Sequence, residues 1–438
     1  MTSRHRQILE LGLPIILAQF SQSLISLVDT AMVAALDDTA ALAAVGVGSY
    51  ANFLAVSAVL GIAVGVQTLV ARRLGAGEFD TLTEPLSGGL VLALLIGGGL
   101  GVLFWLAAPL LMSVYNDDPQ VLAVSVEYFR YRTLSVALLG INFAFRGYWT
   151  GLRRSAVYMK ILLAIQASNV FFSYGLIYGA FGMPALGASG SGLGSTLAVA
   201  TGTLLYVATL FRLQAGGLAK PRPRTMGVIW RMALPSGMQQ LLVALGMSVF
   251  YWLLGRISVE ALAVGHAVLS VSLLVILPAH AFGMAATTLV SQSLGKADPR
   301  AALQWGWSSL RVAAPVLAVL GLPLLLAPDR IIALFIPSRP ELFDMARLPL
   351  QISGAMAVLQ AATQVLSQAL LGAGDNRRVM LYALVLQWGY LLPAVAIGSL
   401  LFGLGLTGIW LIQLSERIIS ALVFTRRWHG ERWQDNRL

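Results

Sequence analysis

Two carboxylates stand where water does not reach. Of 19 Asp and Glu residues, Asp29 and Glu416 fall inside long apolar stretches, with Glu127 near the end of another. A charge at the centre of a bilayer costs at least about 2.5–3.5 kcal/mol on insertion scales, so a carboxyl kept there is a functional candidate by default. Burial disfavours the charged form of a carboxyl group. Such a group can therefore take up a proton from one side of a membrane and release it to the other as its solvent access changes. Asn142, Asn169, Ser173 and Ser195 lie on apolar stretches of the same half of the chain as Asp29. They could share its hydrogen bonds or join it in offering oxygens to sodium. Each alone also serves as interhelical glue, worth under about 1 kcal/mol. Asp29 follows Pro14 by 15 residues, roughly 22 Å along a helix. Pro14 leaves one backbone carbonyl unpaired and is a candidate bend through which protonation could reshape its helix; packing geometry is the plainer reading. Glu416 and Arg417 are neighbours in sequence, and adjacent helical residues do not face each other. Each is expected to find its own partner, with Glu416 a secondary candidate for coupling and structural pairing its better reading.

Other chemistry is excluded or weak. There is no Cys, so disulfides, thiolate catalysis and cysteine metal sites are out. The four His, at positions 5, 266, 280 and 429, are too scattered to suggest a metal site. Gly97-Gly98-Gly99 and the run from Gly187 to Gly194 lack a P-loop Lys-Ser/Thr and read as small residues for close helix packing. Met238, Met247 and Met356 could form an adaptable cavity wall, though ordinary packing explains them too.

The elements that must hold these residues are membrane spans. Of 438 residues, 58% are hydrophobic and 11% charged, with mean hydropathy +0.79. A soluble chain carries about 25% charged residues, so this one could not cover a water-facing surface. Soluble enzymes, nucleic-acid binders and disordered proteins are excluded, and the net charge of +10 is read as basic inward-facing loops. Arg4, His5 and Arg6 precede the first apolar stretch without a cleavage site, so that stretch is read as a span and not as a removable signal. Stretches long enough to cross fall at about 11–35, 41–70, 86–112, 121–147, 159–181 and 186–211. Six more fall at about 228–254, 261–290, 309–327, 346–371, 380–402 and 404–425. The fold class is all-α, with twelve transmembrane helices; continuous apolar runs exclude a membrane barrel.

Even-numbered connections and both ends hold 20 of the 29 Lys and Arg. Six lie opposite (Arg130, Arg132, Arg256, Arg330, Arg339 and Arg347), leaving Arg146, Arg311 and Arg417 at helix ends or inside. That bias places both termini in the cytoplasm. The halves also repeat. Thr68-Leu69-Val70 and Leu74-Gly75 match Thr288-Leu289-Val290 and Leu294-Gly295 at an offset of 220. Leu13-Pro14, Gly151 and Met159 match Leu234-Pro235, Gly372 and Met380 at 221. Six spans per half make the repeat parallel, about an axis along the membrane normal. The expected organisation is a bundle over 1–211, a Pro-rich basic cytoplasmic linker over 212–227, and a second bundle over 228–438.

In this order and spacing the residues resemble the multidrug and toxic compound extrusion (MATE) family of antiporters. The resemblance is carried by Leu13-Pro14, Val28-Asp29-Thr30, Ala41 to Gly46, Ala261 to His266, Pro278 and Leu289 to Gly295. Arg146-Gly147 and Leu371-Gly372-Ala373-Gly374-Asp375 add to it. It implies two six-helix bundles in a V around a central cavity. The NorM-like branch has a Glu in the seventh span and an Asp in the tenth, about where Val243 and Ala361 stand here. Their absence resembles the DinF-like branch, whose ion site is in the N-terminal bundle. Some of its members have an Asp in the fifth span four residues after an Asn; this chain keeps Asn169 but has Ser173.

The expected function is a monomeric, non-enzymatic inner-membrane antiporter. It would expel amphipathic organic cations in exchange for H+, with Na+ as the alternative coupling ion and no cofactor, metal or nucleic acid. A lipid-linked oligosaccharide flippase of related fold is the other transport reading, against which no cationic cluster lines the expected cavity. An intramembrane enzyme would need a His–Asp or His–Glu pair that the spans do not supply. Topology is directly testable: tags at Asn116 and Gln214 should report opposite sides of the membrane, and same-side labelling would overturn the twelve-span reading.

Overall fold

Lipid offers a backbone no hydrogen bonds, so apolar runs of this length satisfy their own and become helices. The computed structural model describes residues 3–36, 38–114, 118–213, 217–335, 340–430 and 432–434, all helical or irregular, with no strand among them. Residues 115–117 of the expected outer loop and 214–216 of the expected linker lie outside the described residues.

The first half opens with α1 (Ser3–Ala34) and α2 (Thr39–Ala76). The third span is α3 (Glu84–Leu92), a π-helical turn at Ala93–Gly97, and α4 (Gly98–Ser113). The fourth is α5 (Pro119–Thr133) and α6 (Ser135–Gly151), interrupted at Leu134; α7 (Ser155–Tyr178) and α8 (Ala188–Leu213) complete the half. The second half holds α9 (Pro223–Ile257), α10 (Val259–Gly295), α11 (Pro299–Leu326) and the short α12 (Pro328–Phe335). Its tenth span is α13 (Phe343–Ala355) with α14 (Ala357–Gly372), bent by 46°. The eleventh is α15 (Asn376–Leu384), a π-helical stretch Val385–Leu391 and α16 (Leu392–Leu400), and α17 (Leu406–His429) is the twelfth. Among the described residues ten helical stretches are long and apolar enough to cross a membrane, and the bent pair makes eleven. The remaining span is α5 with α6, which carries Glu127, Arg130, Arg132 and Arg146 and is less apolar for that reason. All twelve expected spans are present, in the expected order.

The described chain forms two compact units, Pro14–Gly237 and Met1–Leu13 with Met238–Leu438. The first has a core in which Val59, Ile62 and Val66 of α2 meet Ala144, Phe145 and Trp149 of α6. The core of the second gathers Phe250 and Leu254 of α9, Val264 and Val268 of α10, and Trp410 of α17.

The repeat read from the sequence reappears as packing. A Cβ on Gly151 of α6 would stand 2.8 Å from the Gln67 carbonyl oxygen of α2. A Cβ on Gly372 of α14 would stand 2.6 Å from the Thr287 carbonyl oxygen of α10. Gln67 and Thr287 are 220 positions apart, so the same backbone-to-glycine approach is built twice. Gly194 and Gly190 of α8 likewise close on Ser173 and Leu176 of α7, as the small-residue reading expects. The Gly97–Gly99 run is only partly of this kind: Gly97 abuts Ala137, whereas Gly98 and Gly99 face open space. Gly151→Ala and Gly372→Ala should each destabilise the purified protein by about 1–3 kcal/mol, the usual cost of overpacking. Gly98→Ala should be neutral or slightly stabilising, and thermal unfolding in detergent reads the difference.

Candidate functional site

Asp29 is the twenty-seventh of the 32 residues of α1 and lies beside α7. The hydroxyl of Tyr178 at the end of α7 donates to the Met32 carbonyl at 2.6 Å, tying the end of α1 in place. Asn169, buried on α7, turns its amide nitrogen to the carboxylate, 2.8 Å from Oδ1 and 3.1 Å from Oδ2 of Asp29. Its carbonyl oxygen accepts from Ser195 Oγ of α8 at 3.0 Å. The reverse amide orientation would aim carbonyl oxygen at carboxylate oxygen, so the partners decide the assignment. Ser173 lies one helical turn further along α7, fully buried beside the Asp29 carboxylate without completing a regular hydrogen bond. Gly194 makes that level possible, since a Cβ there would lie 2.8 Å from Ser173 Oγ.

Three of the four polar partners expected for Asp29 are thus gathered by the fold. Asn142 is not: its Nδ2 donates to the Val199 carbonyl at 3.1 Å and its Oδ1 accepts from Thr203 Oγ1 at 2.9 Å. It joins α6 to α8 in the interhelical role that was the plainer reading. Pro14 is half-buried within the unbroken α1, far from the carboxylate.

One charged partner was missed. Arg132 of α5 bears electrostatically on Asp29, and its buried Nε makes no hydrogen bond. Counting it among loop residues hid this, although the expected span 121–147 already contained it and an intramembrane Arg is itself a functional signal.

Glu416 needs a correction. Its Oε1 accepts from Ser420 Oγ one turn on at 2.5 Å, and Arg417 NH2 comes within 3.7 Å of Oε2. Adjacent residues do not face each other at Cβ, but the long Arg417 side chain folds back far enough to form the ion pair. Two further buried clusters also escaped sequence reading. Arg427 grips Asp375 through Nε at 2.8 Å and NH2 at 2.6 Å. Glu84 accepts from Thr225 Oγ1 at 2.5 Å and from Arg73 at 3.0 Å. Val243, where a NorM-like acid would stand, instead offers its carbonyl to Gln387 Nε2 at 3.1 Å. Among the described residues no group of three His, Asp or Glu side chains could hold a metal ion.

The MatE family model matches residues 14–175 and 235–392, one block in each half. The chain belongs to the MatE family. It is accordingly a multi-span membrane transporter and not an enzyme. The probable multidrug resistance protein NorM of Burkholderia pseudomallei is 30% identical over 435 residues, covering 96% of this chain and 91% of that protein. The protein of the same name in Pseudomonas putida is 27% identical over 450 residues, covering 100% and 96%. Among solved structures, the outward-facing conformation of a multidrug resistance MATE family transporter of the MOP superfamily has a TM-score of 0.90. It covers 98% of this chain and 97% of that one at 18% identity, a likeness of fold. Another, a MATE in the straight conformation, gives the same values.

In this MatE protein the Asp29–Asn169 contact should be measurable as coupling. Asp29→Asn, Asn169→Ala and the double variant should close a thermodynamic cycle with about 1–2 kcal/mol of interaction energy. Reversible unfolding in micelles measures it, and additive single effects would mean that the two groups do not interact.

Proposed function

We propose that this MatE transporter exports amphipathic organic cations from the cytoplasm in exchange for protons, with Asp29 as the coupling carboxylate. The observation that carries this reading is a membrane-embedded carboxylate held by a neutral amide, with a serine beside it and the charge of Arg132 bearing on it. Protonation would remove the charge that Arg132 and the Asn169 amide stabilise, and so would alter how α1 is held against α5 and α7. Alternation between the two states is the element that an alternating-access cycle needs. The relatives named NorM are called multidrug resistance proteins, which supports drug-like substrates for this chain.

The presence of a single strong carboxylate among neutral partners favours H+ over Na+, because sodium prefers several oxygens. Seventh- and tenth-span acids are absent, which favours coupling in the N-terminal half, as in the DinF-like pattern. We further assign the chain to the inner membrane as a monomer with cytoplasmic termini. Bundles over 1–211 and 228–438 would be joined by a cytoplasmic 212–227 connector.

One carboxylate exchanging one proton inward for one monovalent cation outward moves no net charge. The pH gradient then supplies the drive, about 1.4 kcal/mol or tenfold accumulation per pH unit. A second coupled proton would add about 2.3 kcal/mol per 100 mV of potential. In proteoliposomes, Asp29→Asn should abolish proton-driven efflux in a folded protein that still binds substrate weakly. Collapsing the pH gradient should stop wild-type transport of a monovalent cation, and collapsing the potential alone should spare it. Full activity in Asp29→Asn would reject the assignment, and transport driven by an imposed sodium gradient would replace H+ with Na+.

A further inference from the structure

A second polar feature lies on the flank of the Pro14–Gly237 unit, independent of the transport reading. Trp105 of α4 and Glu127, Arg130 and Tyr131 of α5 line a groove of about 330 Å³, with Val126 and Leu134 among its apolar edges. That is within the size range of small-molecule sites. Its two charges are held apart. The Arg130 guanidinium lies over the Trp105 ring, 4.6 Å from the centroid, and its Nε approaches the Trp105 carbonyl at 3.4 Å. Glu127 accepts from Ser189 Oγ at 2.9 Å and from the Tyr131 hydroxyl at 3.3 Å. Neither charge is spent on the other, so the groove presents a guanidinium and a carboxylate side by side.

The surroundings say what the groove meets. Along α4 the outward residues are Val102, Leu103, Leu106 and Leu110, each more than half exposed. A helix of this span with such a face borders lipid. The stretch Phe79–Ser113 has 35 residues, roughly 52 Å of helix against a hydrocarbon core of about 30 Å. Centred, its end projects about 11 Å beyond the core, and Trp105 lies roughly 12 Å back from Ser113. That is the level at which Trp and Tyr line the boundary between acyl chains and headgroups. Arg130 and Arg132 make the division plain: two positions apart on α5, one sits in this groove and the other bears on Asp29.

We propose that the groove binds the headgroup of a zwitterionic phospholipid bearing a primary ammonium, with Arg130 taking the phosphate and Glu127 the ammonium. Trp105 and Tyr131 border the headgroup at the boundary, and the acyl chains run down the apolar face of α4. A phosphodiester next to an ammonium complements the two separated charges; an anionic glycerol headgroup would leave Glu127 facing hydroxyls and bring a net negative charge beside it.

The full chain purified in detergent and incubated with equal amounts of phosphatidylethanolamine and phosphatidylglycerol tests this by native mass spectrometry. Wild type should retain phosphatidylethanolamine in preference. Glu127→Gln, whose single carbonyl oxygen can still accept from one of the Ser189 and Tyr131 hydroxyls while its amide nitrogen donates to the other, should lose that preference by about tenfold, the worth of one charge-assisted hydrogen bond. Arg130→Ala should lose both lipids. Arg130→Lys, which keeps the charge, serves if the alanine variant does not fold, and should keep the preference with weaker retention. An unchanged preference in Glu127→Gln, or unchanged retention in Arg130→Ala, would overturn the proposal. Displacement of the lipid by glycerophosphoethanolamine at equal concentration would show that the groove reads a soluble phosphodiester, and would overturn the lipid assignment.

Discussion

A carboxyl group inside a bilayer has to be given its donors by the protein, because the acyl chains offer none. Much of the local structure around Asp29 follows from that one demand. Asn169 supplies the N–H groups, and its carbonyl oxygen accepts from Ser195. The amide reaches Ser195 because α8 comes close enough to α7, and α8 comes close because Gly190 and Gly194 stand at the contact. A methyl group added at either glycine would act at a distance on the carboxylate, by spreading the helices that carry its partners.

The same demand is met differently elsewhere. Glu84 and Asp375 are buried at helix ends, where arginines can reach them, and both are strongly paired. Glu416 leans on Ser420 of its own helix and on Arg417. Of these four, Asp29 is the one held by an amide rather than by an ion pair, which leaves its charge less committed than theirs.

How much of this was legible in the sequence depended on periodicity and cost. The twelve spans could be read because apolar length is a local property, and the repeat because matches shared one offset. Asp29 stood out because a carboxylate in lipid needs a reason. The structure places Asn169, Ser173 and Ser195 around it and turns Asn142 to Val199 and Thr203, a division the sequence could not show, since nothing in the spacing tells which face of α6 meets α8. The Glu416–Arg417 pair was misjudged because the rule for adjacent residues describes Cβ directions, and Arg has a long, flexible side chain. Asp375–Arg427 and Glu84–Thr225 join residues 52 and 141 positions apart, a separation that no local pattern encodes.

The two prolines that match in the repeat have a mechanical consequence for the helices that carry them. Pro14 lies inside α1 and Pro235 inside α9, helices of 32 and 35 residues. A loop can swing at almost no elastic cost, whereas a helix resists flexure unless its ladder of backbone bonds is interrupted. A proline has no backbone N–H and so removes one rung of that ladder. Each of these long helices is thus a stiff rod with one softened point, and the two points stand at related places in the repeat, 221 positions apart.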